Sequence, residues 1–148
     1  MIGEHKQPKR NSESARLQNE VYIDGGGMRP DGTGSGYAYF NTTTGEQRVK
    51  AVPGLTNNQA EFRGLLYALH NLPVGSEAKI FGDSQLVVCQ FNGQWAVNDS
   101  SLRALLNRAR EIIQKRRLTI TLGWVPRNQN LAGKLIESRH LMGPACEE

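Results

Sequence analysis

Three carboxylates carry the clearest chemical signal in this sequence, and their neighbours say where each would sit. Asp24 ends the β-branched and aromatic run "VYI" and is followed at once by Gly25, Gly26 and Gly27. Asp83 closes "AKIFG", immediately before a helical pattern that begins at Ser84. Glu61 falls in the first turns of "NNQAEFRGLLYALHNL", where about 100° per residue puts it on a stripe with Leu65, Ala68 and Leu72, flanking the apolar face. A glutamate that only solubilised the helix would sit on the other side. Taken singly, Asp24 suits a tight turn, Asp83 a helix N-cap, and Glu61 the positive end of a helix dipole. Taken together, carboxylates about 4 Å apart repel by roughly 4 kcal/mol per pair at an effective dielectric of about 20. Such a group needs a counter-cation or shifted proton affinities. A hard divalent cation such as Mg²⁺, held by carboxylates and a substrate phosphate, meets that need. The glycines after Asp24 then read as backbone bare enough for a large charged strand to approach.

The elements that must position these acids follow from pattern. Residues 20–25, 35–41 and 46–52 read as strands joined by Gly-rich and "TTTGE" turns, an antiparallel meander. Phe62, Leu65, Leu66, Leu69 and Leu72 recur at three and four, the mark of a helix laid on a sheet. "AKIFGD" reads as a strand, "SQLVVCQFNG" as a short helix, "DSSLRALLNRAREIIQKRR" as a longer one, "LTITLGWV" as a strand and "NLAGKLIESRHLM" as a last helix. The order β-β-β-α-β-α-α-β-α implies a mixed sheet with helices packed on it.

At 148 residues the chain fits one domain. Residues 1–19 are expected to form a flexible polar leader, 20–142 the folded domain and 143–148 a tail. A formal net charge of +4 favours a polyanionic partner only modestly. Cys89 and Cys146 form no CxxC pair, which argues against a zinc site or disulfide framework. No apolar run is long enough for a membrane span and no signal-peptide pattern opens the chain, so a cytoplasmic protein is expected, acting as a monomer.

"YIDGGG", "TNNQAEFRGLLYAL", "FGDSQLVVCQFNGQW" and "WVPRNQNLAGKL" occur in the order and at the approximate spacing of the type 1 ribonuclease H family, which the chain resembles over about residues 20–137. The resemblance implies an α/β, ribonuclease H-like fold: a five-stranded mixed sheet, its first three strands antiparallel, flanked by helices. It also implies an endonuclease that hydrolyses the RNA strand of RNA–DNA hybrids, with two Mg²⁺ or Mn²⁺ ions about 3.5–4 Å apart clamping the phosphate, and leaves 5′-phosphate and 3′-hydroxyl ends.

Carried over residue by residue, Asp24, Glu61 and Asp83 resemble three of the family's four metal-binding acids. The fourth is expected at the start of the last helix, where "PRNQNLAGKLIE" has no Asp. One alignment places Asn130 there and another gap placement gives Gly133 or Lys134; Asn130 is taken as the fourth catalytic and metal-binding position. Its amide oxygen can face a cation but adds no charge, and an Asn before a helix is also a good N-cap. Glu137 is the nearest acid that could compensate. Asn58 and Gln85 match positions that contact the hybrid near the scissile bond, with Asn57 and Thr56 as helpers; reading the 2′-hydroxyl separates RNA from DNA. Gly25 and Gly26 are expected to admit the RNA backbone, Trp95 to stack on the DNA strand, and Arg127 and Lys134 to hold a phosphate. Arg103, Arg108, Arg110, Lys115, Arg116 and Arg117 decorate the long helix, mostly as a solvated face. No function is expected for His70 or His140. A hybrid-binding domain whose chemistry has lapsed is the main alternative, and a resolvase or integrase relative a third.

Overall fold

The computed structural model describes residues 18–27 and 34–138. The leader up to residue 17, His140, Cys146, the side chain of Glu137 and the tail at 143–148 lie outside the described residues. Five strands form one sheet: β1 (Gln18–Gly26), β2 (Gly36–Asn41), β3 (Gln47–Ala51), β4 (Glu77–Gly82) and β5 (Thr119–Trp124). Helix α1 (Asn57–Asn71) precedes β4, while α2 (Gln85–Phe91) and α3 (Ser100–Lys115) join β4 to β5. A 3₁₀ turn (Arg127–Gln129) leads to α4 (Gly133–Ser138).

The sheet order is β3-β2-β1-β4-β5. Strands β1, β2 and β3 pair antiparallel, whereas β4 lies parallel to β1 and to β5. Each parallel pairing needs a crossover, and the helical segments provide it. This is the expected mixed sheet. The first strand begins two residues earlier than its apolar pattern, because Gln18 and Asn19 register against Glu77 and Ala78 and the buried Asn19 amide donates to the Glu77 carbonyl. The last helix begins three residues later than expected, at Gly133, after the 3₁₀ turn.

Phe62, Leu65, Leu66 and Leu69 of α1 and Leu72, the residue that ends it, are buried against Val21, Ile23, Tyr39, Ala78 and Ile80 of the sheet. Leu102, Leu106, Ala109 and Ile112 of α3 close the same core. Strand β3 lies at the edge, where Gln47, Arg48 and Lys50 are exposed and two of the three carry charge, a protection against edge pairing.

Backbone contact between α1 and β1 sets the geometry of the site. A Cβ on Gly25 would lie 2.3 Å from the carbonyl carbon of Ala60, and one on Gly64 would lie 2.9 Å from the carbonyl oxygen of Asp24. Helix and strand therefore meet with almost no side chain between them.

Candidate active site

Asp24 and Asp83 occupy the carboxyl ends of β1 and β4, adjacent parallel strands. The last registered pair is Tyr22↔Phe81, so both acids lie two residues beyond it and come level across the gap. Strand spacing of about 4.8 Å then brings their side chains into one space. Glu61 enters from above because α1 sits directly on Gly25. One carboxylate oxygen from each of Asp24, Glu61 and Asp83 falls within 4.8 Å of the others.

The local chemistry around each acid removes the simpler roles. Ser84, rather than Asp83, caps α2 by accepting the Val87 N–H, and Thr56 caps α1 in a reciprocal capping box with Gln59. Asp24 lies within β1, opposite Ala38, and not in a turn. Glu61 is the fifth residue of α1, beyond the first turn in which the helix dipole acts, and its side chain is buried.

Crowding shows in the proton affinities. Burial, then the charge of Asp83, lifts Asp24 from 3.8 to about 6, against the pull of the Gly25 N–H, Glu61 and Arg127. Burial, then the charges of Asp24 and Asp83, holds Glu61 well above the usual carboxylate range. Three hard oxygen donors, with Asp24 and Glu61 in surroundings that resist their ionisation, fit a divalent cation, which would favour the charged forms.

Asn130 is brought to this cluster but turned otherwise than a cation ligand would be. Its Nδ2 donates to the Ile23 carbonyl at 2.8 Å and to Asp83 Oδ2 at 3.1 Å, and its Oδ1 accepts from the Ala132 N–H at 3.0 Å. Reversing the amide would set oxygen against a carbonyl and NH₂ against an N–H, so the partners determine its orientation. Where the sequence reading expected an amide oxygen offered to a metal, the group that faces Asp83 is a donor. The position that opens on the cluster is Gly133, where a Cβ would lie 3.2 Å from Asp24 Oδ2.

The fold makes its own demand on the glycines. Gly25 is bare because α1 rests on it, and a Cβ on Gly27 would lie 2.5 Å from Asn57 Oδ1, which accepts the Gly27 N–H. Helix packing explains both residues. Gly25 and Gly26 still line a cleft of 820 Å³ together with the three acids, Asn57, Asn58, Arg127, Asn130, Gly133 and Lys134. Ser84 and Asn128 line it as well, which the sequence reading passed over because both look like ordinary capping or loop residues. Gln85, the first residue of α2, and Trp95, 48% exposed in the loop after it, lie outside the cleft lining.

A family model described as RNase H matches residues 16–133. The bifunctional protein Rv2228c of Mycobacterium tuberculosis is 35% identical over 112 residues, covering 71% of this chain. The chain spans 30% of the length of that relative. Among solved structures, RNase H1 of Halobacterium salinarum is 27% identical with a TM-score of 0.72, covering 84% of this chain and 97% of that one. LC11-RNase H1 in complex with an RNA/DNA hybrid is 26% identical with a TM-score of 0.72, covering 81% and 94%.

Proposed function

The chain belongs to the ribonuclease H family, and from that premise we propose that it is a metal-dependent endonuclease that hydrolyses the RNA strand of RNA–DNA hybrids. The convergence of Asp24, Glu61 and Asp83 within 4.8 Å carries the proposal. These three would hold the divalent cations, with Mg²⁺ or Mn²⁺ suited to an all-oxygen set. Bound there, the ions supply Lewis-acid activation of a water and stabilisation of the leaving 3′ oxygen.

The residues around the acids do the positioning. Asn130 holds the Asp83 carboxylate through its NH₂ and ties the end of β1 to the segment before α4. Arg127 and Lys134 place positive charge on the rim of the cleft, suited to the phosphates of the bound strand. Asn58 lines the cleft with its side chain released from capping, because Thr56 and Gln59 cap α1 between them; it is the reader we assign to the 2′-hydroxyl. Hydrolysis breaks the P–O3′ bond and leaves 5′-phosphate and 3′-hydroxyl ends.

One observation favours a second reading, a domain that binds hybrids without cutting them: no fourth carboxylate joins the three among the described residues. A hybrid labelled separately on its RNA and DNA strands decides between the two. Cleavage of the RNA strand alone, in Mg²⁺ or Mn²⁺ and abolished in Asp24→Asn, is expected. Binding without cleavage under either ion would leave the second reading standing.

A further inference from the structure

A second cleft of 380 Å³ opens beside α1, and cationic side chains from three elements converge on it, Lys50 of β3, Arg63 of α1 and Arg108 of α3, with the imidazole of His70 among them. Tyr37 and Tyr67, packed edge to face with centroids 5.4 Å apart, supply aromatic walls. None of the lining residues is acidic. Among the described residues the salt bridge formed near this edge is Arg48–Glu46, which leaves Lys50, Arg63 and Arg108 without a carboxylate partner. Glu61 and Arg63 are two residues apart, about 200° around the helix, so this cleft faces away from the catalytic carboxylates.

We infer that this cleft is a separate phosphate-binding groove, which takes the sugar–phosphate backbone of a nucleic acid outside the stretch being cleaved. Unpaired cations gathered from separate elements repel one another in the free protein, and a phosphodiester chain relieves that repulsion while releasing counterions. Arginines present several donors to phosphate oxygens in a planar fork, and the partly exposed Tyr67 offers ring surface to a sugar or base. His70 already senses the local field: burial, then the charges of Arg108 and Arg116, hold its imidazole below the ordinary range. An anion among these groups would raise it again. The surface rests on the hybrid as partner but not on the chemistry of the acids.

Binding of the full chain to a long hybrid, measured in chelator across a salt series, tests the inference. The pair Arg63→Gln with Arg108→Gln alters two exposed side chains, and Arg110→Gln, on the same helix outside the cleft, controls for net charge. The slope of log affinity against log salt should fall by about 0.9 for each phosphate contact removed, about 1.8 for the pair if B-form behaviour carries over. Arg110→Gln should leave it unchanged. His70 followed by NMR should titrate at higher pH once the hybrid is bound in wild type, less so in the double variant. Equal slopes for wild type and the double variant, or equal loss in the control, overturn the groove. Saturation by inorganic phosphate alone with hybrid affinity unmoved by the double variant would make it a small-anion site and also overturn the nucleic-acid assignment. Failure of hybrid cleavage, by contrast, leaves these binding measurements intact.

Discussion

Replacing Asp24 by Asn should abolish hybrid cleavage and yet make the metal-free protein more stable. In the folded chain Asp24 takes up its proton near pH 6 instead of 3.8, mainly because it is buried and then because Asp83 stands beside it. The folded state therefore binds more protons than the unfolded state between those values, and stability falls as pH rises through that window. At about 1.36 kcal/mol per pH unit the loss reaches about 3 kcal/mol above pH 6. Asn carries no charge at any pH and escapes it. Thermal melts in chelator at pH 7.5 should place the variant roughly 6–12 °C above wild type, at about 2–4 °C per kcal/mol. Near pH 4 the difference should shrink to a small fraction of that value, because wild-type Asp24 is then protonated in the folded state and close to half protonated in the unfolded one. Saturating Mg²⁺ should narrow the gap at pH 7.5, since a ligand at about 100 times its Kd adds about 2.7 kcal/mol to the state that binds it. A variant no more stable than wild type at pH 7.5 in chelator, or equally stabilised at pH 4, would refute the claim that burial and crowding strain this carboxylate.

Gly25→Ala should cost about 3 kcal/mol or more by denaturant unfolding, because its Cβ would meet the Ala60 backbone at 2.3 Å and α1 would have to lift from β1; a loss under about 1 kcal/mol would mean the helix moves freely. Asn130→Asp should destabilise the metal-free protein by about 2 kcal/mol or more, since a carboxylate would face both Asp83 and the Ile23 carbonyl. Gly133→Asp should instead tighten Mn²⁺ binding by calorimetry, its side chain starting 3.2 Å from Asp24 Oδ2; stronger binding in the Asn130 variant and none in the Gly133 variant would reverse the assignment made here. Asn58→Ala should weaken the preference for RNA over DNA in the cleaved strand while leaving the melting temperature within about 2 °C, as suits an exposed side chain with no capping role. A stability loss without change in selectivity would assign it to structure.

Some of this molecule was legible before folding was considered. Strand alternation around Val21 and Ile23, the three-and-four spacing of Phe62, Leu65 and Leu69, and the turn residues between them are local signals, so the element order and the mixed sheet could be read directly. The same locality explains why Asp24, Asp83 and Glu61 could be singled out, each by its place at an element's end or on a helix flank. Their meeting depended on two non-local facts: the parallel register that brings residues 24 and 83 level, and the close approach of α1 that Gly25 and Gly64 permit. Spacing in "PRNQNLAGKL" left Asn130, Gly133 and Lys134 as rival positions, because a single sequence does not fix where a gap of three or four residues falls. In the fold each residue has one direction: the Asn130 amide is held by Ile23 and Ala132, and the bare Cα of Gly133 faces Asp24. The cationic cleft was spread over three elements and had no motif. Periodicity is a property of neighbours along the chain, whereas charge crowding and close packing arise between segments that only tertiary structure brings together.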